Sequence, residues 1–352
     1  MIMLGLTVAF AYLWNYTSKC NCVCIKGKQL YLGNKYVWMI LTFLPMYLVN
    51  ALMSYVGGDY GNYFRYFQRI VSGQEQEVEI GYKWICLLVS KLNLEFQWVY
   101  IILCMISYGI LIICVKKYSQ NYVISYLMFF FNGYFALLGL NQIRQFVSVV
   151  VILYAMDYIY KKNLFKYLIA VAIATCFHIS AIIMLPFYWI LGKKWSLSTF
   201  FVGCLALLPF NFVFNQVMVW FFSTFMPRYL NTNYTNRKFD LDVIYLSVIL
   251  VTFVVVLVFA NYRKIKDNIN LIFYNEIFFA VMIALFGSWL PEYRRFVYYF
   301  FAPSIVLIPT IMEEQPKKIK YITYIMILII YIFYFKVASG GWSIYPYKSI
   351  LG

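Results

Sequence analysis

Charge is scarce in this chain of 352 residues: only 12% of it is Asp, Glu, Lys or Arg, where a soluble domain carries about 25%. With 64% hydrophobic and 22% aromatic residues and a mean hydropathy of +0.75, that scarcity excludes an ordinary water-soluble fold. No hydrophilic stretch is long enough for a separate soluble domain, so residues 1–352 read as one integral-membrane domain. Cysteine pairs at metal spacing are also missing. "CNCVC" at 20–24 lacks the two-residue gaps and the second ligand pair of a zinc site, and it reads as a loop, with reversible acylation as the alternative. Cys86, Cys104, Cys114, Cys176 and Cys204 fall in or beside apolar segments, where cysteine packs as a small hydrophobe. No glycine-rich nucleotide loop, internal repeat or low-complexity tract is present. The opening "MIMLGLTVAFAYLWNY" has no basic leader, which argues against a signal peptide. No metal site and no cofactor is expected.

Acids are the scarcer charge, 13 against 29 Lys and Arg, a net +16. In a soluble protein that balance would suggest nucleic acid; here much of it is the positive-inside bias of cytoplasmic loops. Threading the apolar runs by that bias predicts an all-α, polytopic fold of about twelve crossings, with both termini outside. The expected spans are 1–16, 36–55, 96–115, 121–139, 142–160, 197–223, 241–261, 270–290, 293–312 and 319–336. The run 164–191 adds two more by folding back near His178. That hairpin is chosen because a single crossing would leave eight basic residues between Lys193 and Lys320 on the wrong side. Residues 82–92 form a short amphipathic piece. Loop 56–81 and the tail 337–352 fall outside and are expected to build the site.

This topology leaves Arg65, Arg69, Arg144, Arg228, Arg237, Arg294, Arg295 and Lys348 outside, against the bias. Arginine dominates the set, and its planar fork suits bidentate recognition of phosphate. Arg69, Arg237 and Lys348 read as residues reaching up to lipid headgroups. Arg144, in "LNQIRQF", stands beside Asn141, Gln142 and Gln145 with no acid within one helical turn, and an intramembrane guanidinium of that kind is a functional candidate. Asp157 reads as an i,i+4 partner of Lys161; Glu276 has no assignment. The external segments are rich in tyrosine, including Tyr63, Tyr82 and Tyr229. Aromatic faces beside acids and amides are how proteins hold sugars, the alternative being an interfacial belt.

In order, "GDYGNYFRYF", "EIGYKWI", "LNQIRQFVSVVVILYA", "CFHISAIIMLPFYWI", "PRYL", "EYRRFVYYF" and "WSIYPYKSIL" resemble the EpsG family of Wzy-type polysaccharide polymerases. The resemblance runs from residue 58 to 351. It implies a glycosyltransferase of the integral-membrane type in the bacterial inner membrane, working at its periplasmic face. Such an enzyme moves a growing glycan from undecaprenyl pyrophosphate onto the non-reducing-end hydroxyl of the next lipid-linked repeat unit, as in exopolysaccharide or O-antigen synthesis. Lipid-linked oligosaccharides, membrane lipids, a flippase and a chain-length regulator are the implied partners; nucleic acid is not. The positions carried over are Asp59, Tyr63, Arg65, Glu79, Tyr82, Gln142, Arg144, Gln145, His178, Arg228, Tyr229, Arg294 and Arg295.

In the role expected of each, Arg144, Arg228, Arg294, Arg295 and Arg65 bind the pyrophosphate, with Arg295 chosen over Arg294 to face the cavity. Gln142, Gln145, Tyr63, Tyr82 and Tyr229 position the substrate. His178 is either the general base or a brace for its hairpin, and Asp59 and Glu79 are competing bases or sugar-binding acids. A flippase or other transporter of lipid-linked oligosaccharides, or a glycan ligase of the same fold, is the alternative function.

Overall fold

The computed structural model describes residues 2–20, 22–25, 28–74, 76–195, 198, 202–203, 216, 220, 223–224, 243–260, 269–286, 292–339 and 346–351. Asparagine caps set three of the helix starts. After α1 (Ile2–Thr17) a hairpin of two four-residue antiparallel strands, β1 (Cys22–Ile25) and β2 (Lys28–Tyr31), turns the chain. Asn34 then accepts from the Tyr36 amide and opens α2 (Lys35–Ala51). Next come α3 (Tyr60–Val71), α4 (Ile80–Lys91), α5 (Gln97–Tyr118) and α6 (Tyr122–Phe131), the last capped by Asn121. A π-helix, Tyr134–Gly139, leads to α7 (Ile143–Tyr160), and Asn163 caps α8 (Leu164–Phe177). A 3₁₀-helix, Ile179–Tyr188, completes that part. The later helices are α9 (Val243–Phe259), α10 (Ile269–Phe286), α11 (Tyr293–Phe301), α12 (Ser304–Glu313) and α13 (Lys317–Ser339).

The fold is all-α apart from the small hairpin. Among the described residues four stretches are long and apolar enough to cross a membrane alone: Gln97–Tyr118, Ile143–Tyr160, Tyr293–Glu313 and Lys317–Ser339. They match the expected spans at 96–115, 142–160, 293–312 and 319–336. Six more apolar helices have 10–17 residues. Residues 204–215 and 225–242 lie outside the described set, so the count of twelve is not established.

Two expectations are corrected. Span 121–139 is not one helix: α6 ends at Asn132, Gly133 takes a left-handed φ of +91°, and the chain continues as the π-helix. Loop 56–81 is not a plain loop, because it contains α3, which buries Tyr60, Tyr63 and Ile70 and exposes Arg65 and Arg69.

The fold-back in 164–191 is present, and helix geometry explains how so few residues suffice. The 14 residues of α8 rise about 21 Å at 1.5 Å each, and the 10 residues of the 3₁₀-helix about 20 Å at 2.0 Å each. The tighter helix is stretched enough to make the two arms equal. The Tyr167 hydroxyl donates to the Met184 carbonyl at 2.6 Å across them, and the Tyr167 and Tyr188 rings pack at 5.3 Å.

Helix α7 is the pillar, 72% buried and packed on α5, α8, α10, α11 and the 3₁₀-helix, whereas α13 is only 33% buried. One end of this bundle is basic and closed. Asp157 binds Lys117 at 2.8 Å and its expected partner Lys161 at 2.7 Å, while Glu313 binds Lys320 and the Asn121 amide, each at 2.9 Å. The opposite end gathers the starts of α3, α4, α7 and α11 and the turn at His178. There the tail is stitched back to the end of α2. Ser54 N donates to Lys348 O and Ile350 N to Leu52 O at 3.0 Å each, and the Tyr347 hydroxyl donates to Val49 O at 2.8 Å.

Candidate functional site

Two glycines bring the site together. Gly57, at φ +80°, lies so close to the π-helix exit that a Cβ there would meet the Leu140 carbonyl oxygen at 2.4 Å. The neighbouring Gly58 amide donates to Asn141 Oδ1 at 2.6 Å, fixing Asp59 beside the start of α7. Gly81 does the same for α4 and α8, since a Cβ would lie 2.7 Å from the Cys176 carbonyl oxygen. Glu79 is thereby carried to the His178 turn.

Arg144 is held rather than free. One guanidinium nitrogen, Nη1, forms an ion pair with Glu79 Oε2. The guanidinium carbon sits 4.9 Å from the Tyr63 ring centre, 5.4 Å from Tyr82 and 5.9 Å from Tyr66. Sequence neighbours suggested amides and no acid; the spatial neighbours are one carboxylate and three aromatic faces. This also corrects the place of Tyr63 and Tyr82. Both are buried, Tyr82 donates to the Tyr63 carbonyl at 2.8 Å, and their rings face Arg144 rather than an open sugar site. Glu79 Oε1 is taken as well, accepting from the Ile179 amide at 3.4 Å, so both its oxygens are engaged.

Arg295 faces the same centre. Its charge, with that of Arg144, acts on both Asp59 and His178. Its Nε stands 3.4 Å from Glu292 Oε2, and its backbone carbonyl accepts from Gln145 Nε2 at 2.7 Å. The Arg294 charge is felt at Tyr245 and Tyr298. Of the two, Arg295 is the one whose charge reaches Asp59 and His178. Burial lifts the Asp59 carboxyl above the ordinary range, against the opposing pull of Arg295 and Arg144. Burial, then Arg295 and Arg144, hold His178 well below the ordinary histidine value, so it is neutral at pH 7. His178 sits in the turn between α8 and the 3₁₀-helix, outside both.

Arg65 is not brought in: it is exposed and donates to Asn62 on its own helix. Gln142 caps α7, and the side-chain oxygens of Gln142 and Gln145 are buried without a hydrogen bond from the described residues, as is Arg144 Nε. Arg228 and Tyr229 lie outside the described residues. So does Arg237; the described part of the tail, 346–351, is hydrogen-bonded to the end of α2 and the residues after it. Glu276, left unassigned from sequence, buries both carboxyl oxygens in α10 with no hydrogen-bond partner among the described residues.

Sequence reasoning missed Asn141, Glu292, Ser148, Ser180 and Tyr299. Asn141 reads from sequence only as an amide beside Arg144, and Glu292 only as part of a family motif; neither carries a role there. The two serines and Tyr299 fall within family motifs, but a hydroxyl in an apolar helix also marks many inert positions.

With acids, amides and two guanidiniums gathered at one end of a helical membrane bundle, the known families can be compared. A family model described as the EpsG family matches residues 35–349. The chain belongs to the EpsG family. The match spans Asp59, Glu79, Arg144, His178 and Arg295 and leaves out "CNCVC". Membership in the EpsG family gives a multi-pass membrane protein of the polysaccharide-polymerase type. No curated protein and no solved structure matches the chain.

Proposed function

We propose that this EpsG-family protein is a glycosyltransferase that polymerises lipid-linked repeat units. It takes the growing glycan from undecaprenyl pyrophosphate and joins it to the non-reducing-end hydroxyl of the next unit, at the periplasmic face of the inner membrane. The observation that carries this reading is the gathering of Glu79, Arg144 and the His178 turn at one end of the bundle, with Arg295 tied to Gln145 of the same helix as Arg144. In the reaction the acceptor oxygen bonds to the anomeric carbon. The bond from that carbon to the pyrophosphate oxygen breaks, and its electron pair leaves with the phosphate. The acceptor's proton passes to a base.

Pyrophosphate is already a good leaving group, so the site must chiefly neutralise the charge that grows on it and hold two bulky substrates in place. Arg295, about a third exposed, is the more open guanidinium; Arg144 is anchored by Glu79 and keeps its Nε without a partner among the described residues. Arg228 is proposed as a third cation and Tyr229 as a sugar contact, from the family motif alone. Neutral His178 is the proposed base, its proton affinity restored once the bound pyrophosphate offsets the charges of Arg144 and Arg295. Glu79, with both oxygens engaged, is reassigned from base to the anchor of Arg144. Asp59 is kept as a sugar-binding acid.

The test is a deletion strain complemented with Arg295→Ala. Long glycan should vanish while outward-facing lipid-linked single units accumulate. Normal chain lengths at normal protein levels would overturn the assignment, and accumulation of completed chains would make the protein a ligase. One observation favours transport instead: an acid buried in a span with no partner among the described residues, Glu276, is a common mark of an ion or substrate path. Inward-facing single units in the deletion strain would support that reading.

A further inference from the structure

Behind His178 runs a ring of hydrogen bonds that uses residues of four elements. His178 Nδ1 lies 2.6 Å from Ser180 Oγ in the 3₁₀-helix. Ser180 Oγ lies 3.0 Å from the Tyr299 hydroxyl of α11, which lies 3.1 Å from Ser148 Oγ of α7. Ser148 Oγ donates to the Ala174 carbonyl of α8 at 2.9 Å, and the same carbonyl accepts the backbone amide of His178 at 3.0 Å. The ring starts and ends at the same residue.

Hydrogen counting fixes its direction, because a hydroxyl has one hydrogen to give. A carbonyl can only accept, so the Ser148 hydrogen is committed to Ala174. Tyr299 must then donate to Ser148, and Ser180 must donate to Tyr299. Ser180 has nothing left for the ring of His178, so Nδ1 has to supply the hydrogen between them. The opposite direction would leave the 3.1 Å contact between Tyr299 and Ser148 with no hydrogen in it.

We infer that Ser148, Tyr299 and Ser180 are positioning residues that hold His178 in its Nδ1–H tautomer and so present the Nε2 lone pair to the acceptor hydroxyl. This rests on the proposed transfer reaction. No described residue hydrogen-bonds Nε2. Arg295 from α11 and Arg144 from α7 act on the imidazole, Tyr299 from α11 stands behind Ser180, and Glu79 at the start of α4 accepts from the neighbouring Ile179 amide. In the transfer step the proton leaves the acceptor hydroxyl for Nε2 as the acceptor oxygen bonds to the anomeric carbon and the pyrophosphate departs with the bonding pair. The imidazolium formed keeps its Nδ1–H bond to Ser180, and Nε2 then loses the proton to water. The arrangement explains why three hydroxyls converge in an otherwise apolar packing layer.

The chain has a single histidine, so the tautomer can be read directly. Full-length protein with ¹⁵N-labelled histidine in lipid nanodiscs should show protonated Nδ1 and bare Nε2 at neutral pH. Tyr299→Phe cuts the ring with little change in packing and should give a tautomer mixture. In that variant kcat should fall about 10-fold to 100-fold, below the ~10²–10⁴ of losing a base outright, while KM for the lipid donor moves less than about twofold. Ser148→Thr, which keeps the hydroxyl, should restore what Ser148→Ala loses. A wild-type Nε2–H tautomer, or a Tyr299→Phe protein with unaltered tautomer and kcat, would overturn the inference. Failure of the polymerase reading would look different: wild-type protein inactive on lipid-pyrophosphate-linked units, with the imidazole signals unaffected.

Discussion

The two ends of the bundle treat charge in opposite ways. At the lysine end Asp157 is almost buried, and two flexible ammoniums close on it; Glu313 takes one ammonium and one amide. At the arginine end Glu79 serves Arg144 and Glu292 stands at 3.4 Å from Arg295, but Arg144 Nε, Gln142 Oε1 and Gln145 Oε1 are buried with no partner among the described residues. Buried polar atoms are nearly always satisfied, and unsatisfied ones cost about 1–3 kcal/mol each. Tyr118 Oη and Asn275 Oδ1 show that the lysine end has such atoms too, but at the arginine end they surround a guanidinium. Ion pairs tie the helices together at the lysine end; the proposed function assigns the open polar atoms of the arginine end to the lipid-linked substrate.

Mutations at the two ends should separate these roles. The largest effect belongs to Arg144→Ala, which removes a guanidinium near the developing charge. Polymer output should fall about 10²–10³-fold at unchanged membrane levels, measured as glycan length and amount. Glu79→Gln follows, because it leaves Arg144 without its counter-ion. A fully buried pair broken on one side costs about 3–5 kcal/mol; with both side chains partly exposed, at 16% and 18%, about 1–2 kcal/mol is expected in thermal unfolding. Retained full stability would show that the pair is not structural.

Gly57→Ala should cost a similar amount, since alanine loses about 1–2 kcal/mol at that positive φ and its Cβ would strike Leu140. Its effect on activity should exceed that of an equally destabilising change at the lysine end. The comparison has a pH arm. Folded His178 resists protonation while the unfolded chain protonates near pH 6.5, so stability present above that value is lost as pH falls below it. Thermal unfolding between pH 7 and pH 5 should show this slope in the wild type and lose it in His178→Gln. The smallest effect is expected from Lys161→Ala, an exposed partner of Asp157 whose Lys117 bond remains: no resolvable change in thermal unfolding, with normal glycan.

Much of this contrast is legible in the amino-acid sequence. The positive-inside count places lysines at one end and arginines at the other, and Asp157 and Lys161 sit one helical turn apart, where spacing alone reveals a pair. Arg144 and Glu79 are 65 positions apart and meet only because Gly57 and Gly81 let backbones touch. No local pattern carries that information. Gly133 hints at the break in the 121–139 crossing, yet glycine is common in membrane helices and hydropathy outweighs it. The length of 164–191 looks ambiguous because a ten-residue 3₁₀-helix is rare, and an α-helical rise is the natural assumption. The direction of Arg295 needs the turn at Glu292, a non-glycine residue at φ +55°, to fix where α11 begins.

The stitch between the tail and α2 sets an order of events in time. Val49 and Tyr347 are 298 residues apart, so at about 5–20 residues per second a ribosome finishes the second roughly 15–60 s after the first. Through that interval the segment leading into Asp59 has no strand to pair with. The stitch at the arginine end forms only when residues 347–350 arrive, long after α2 has been made.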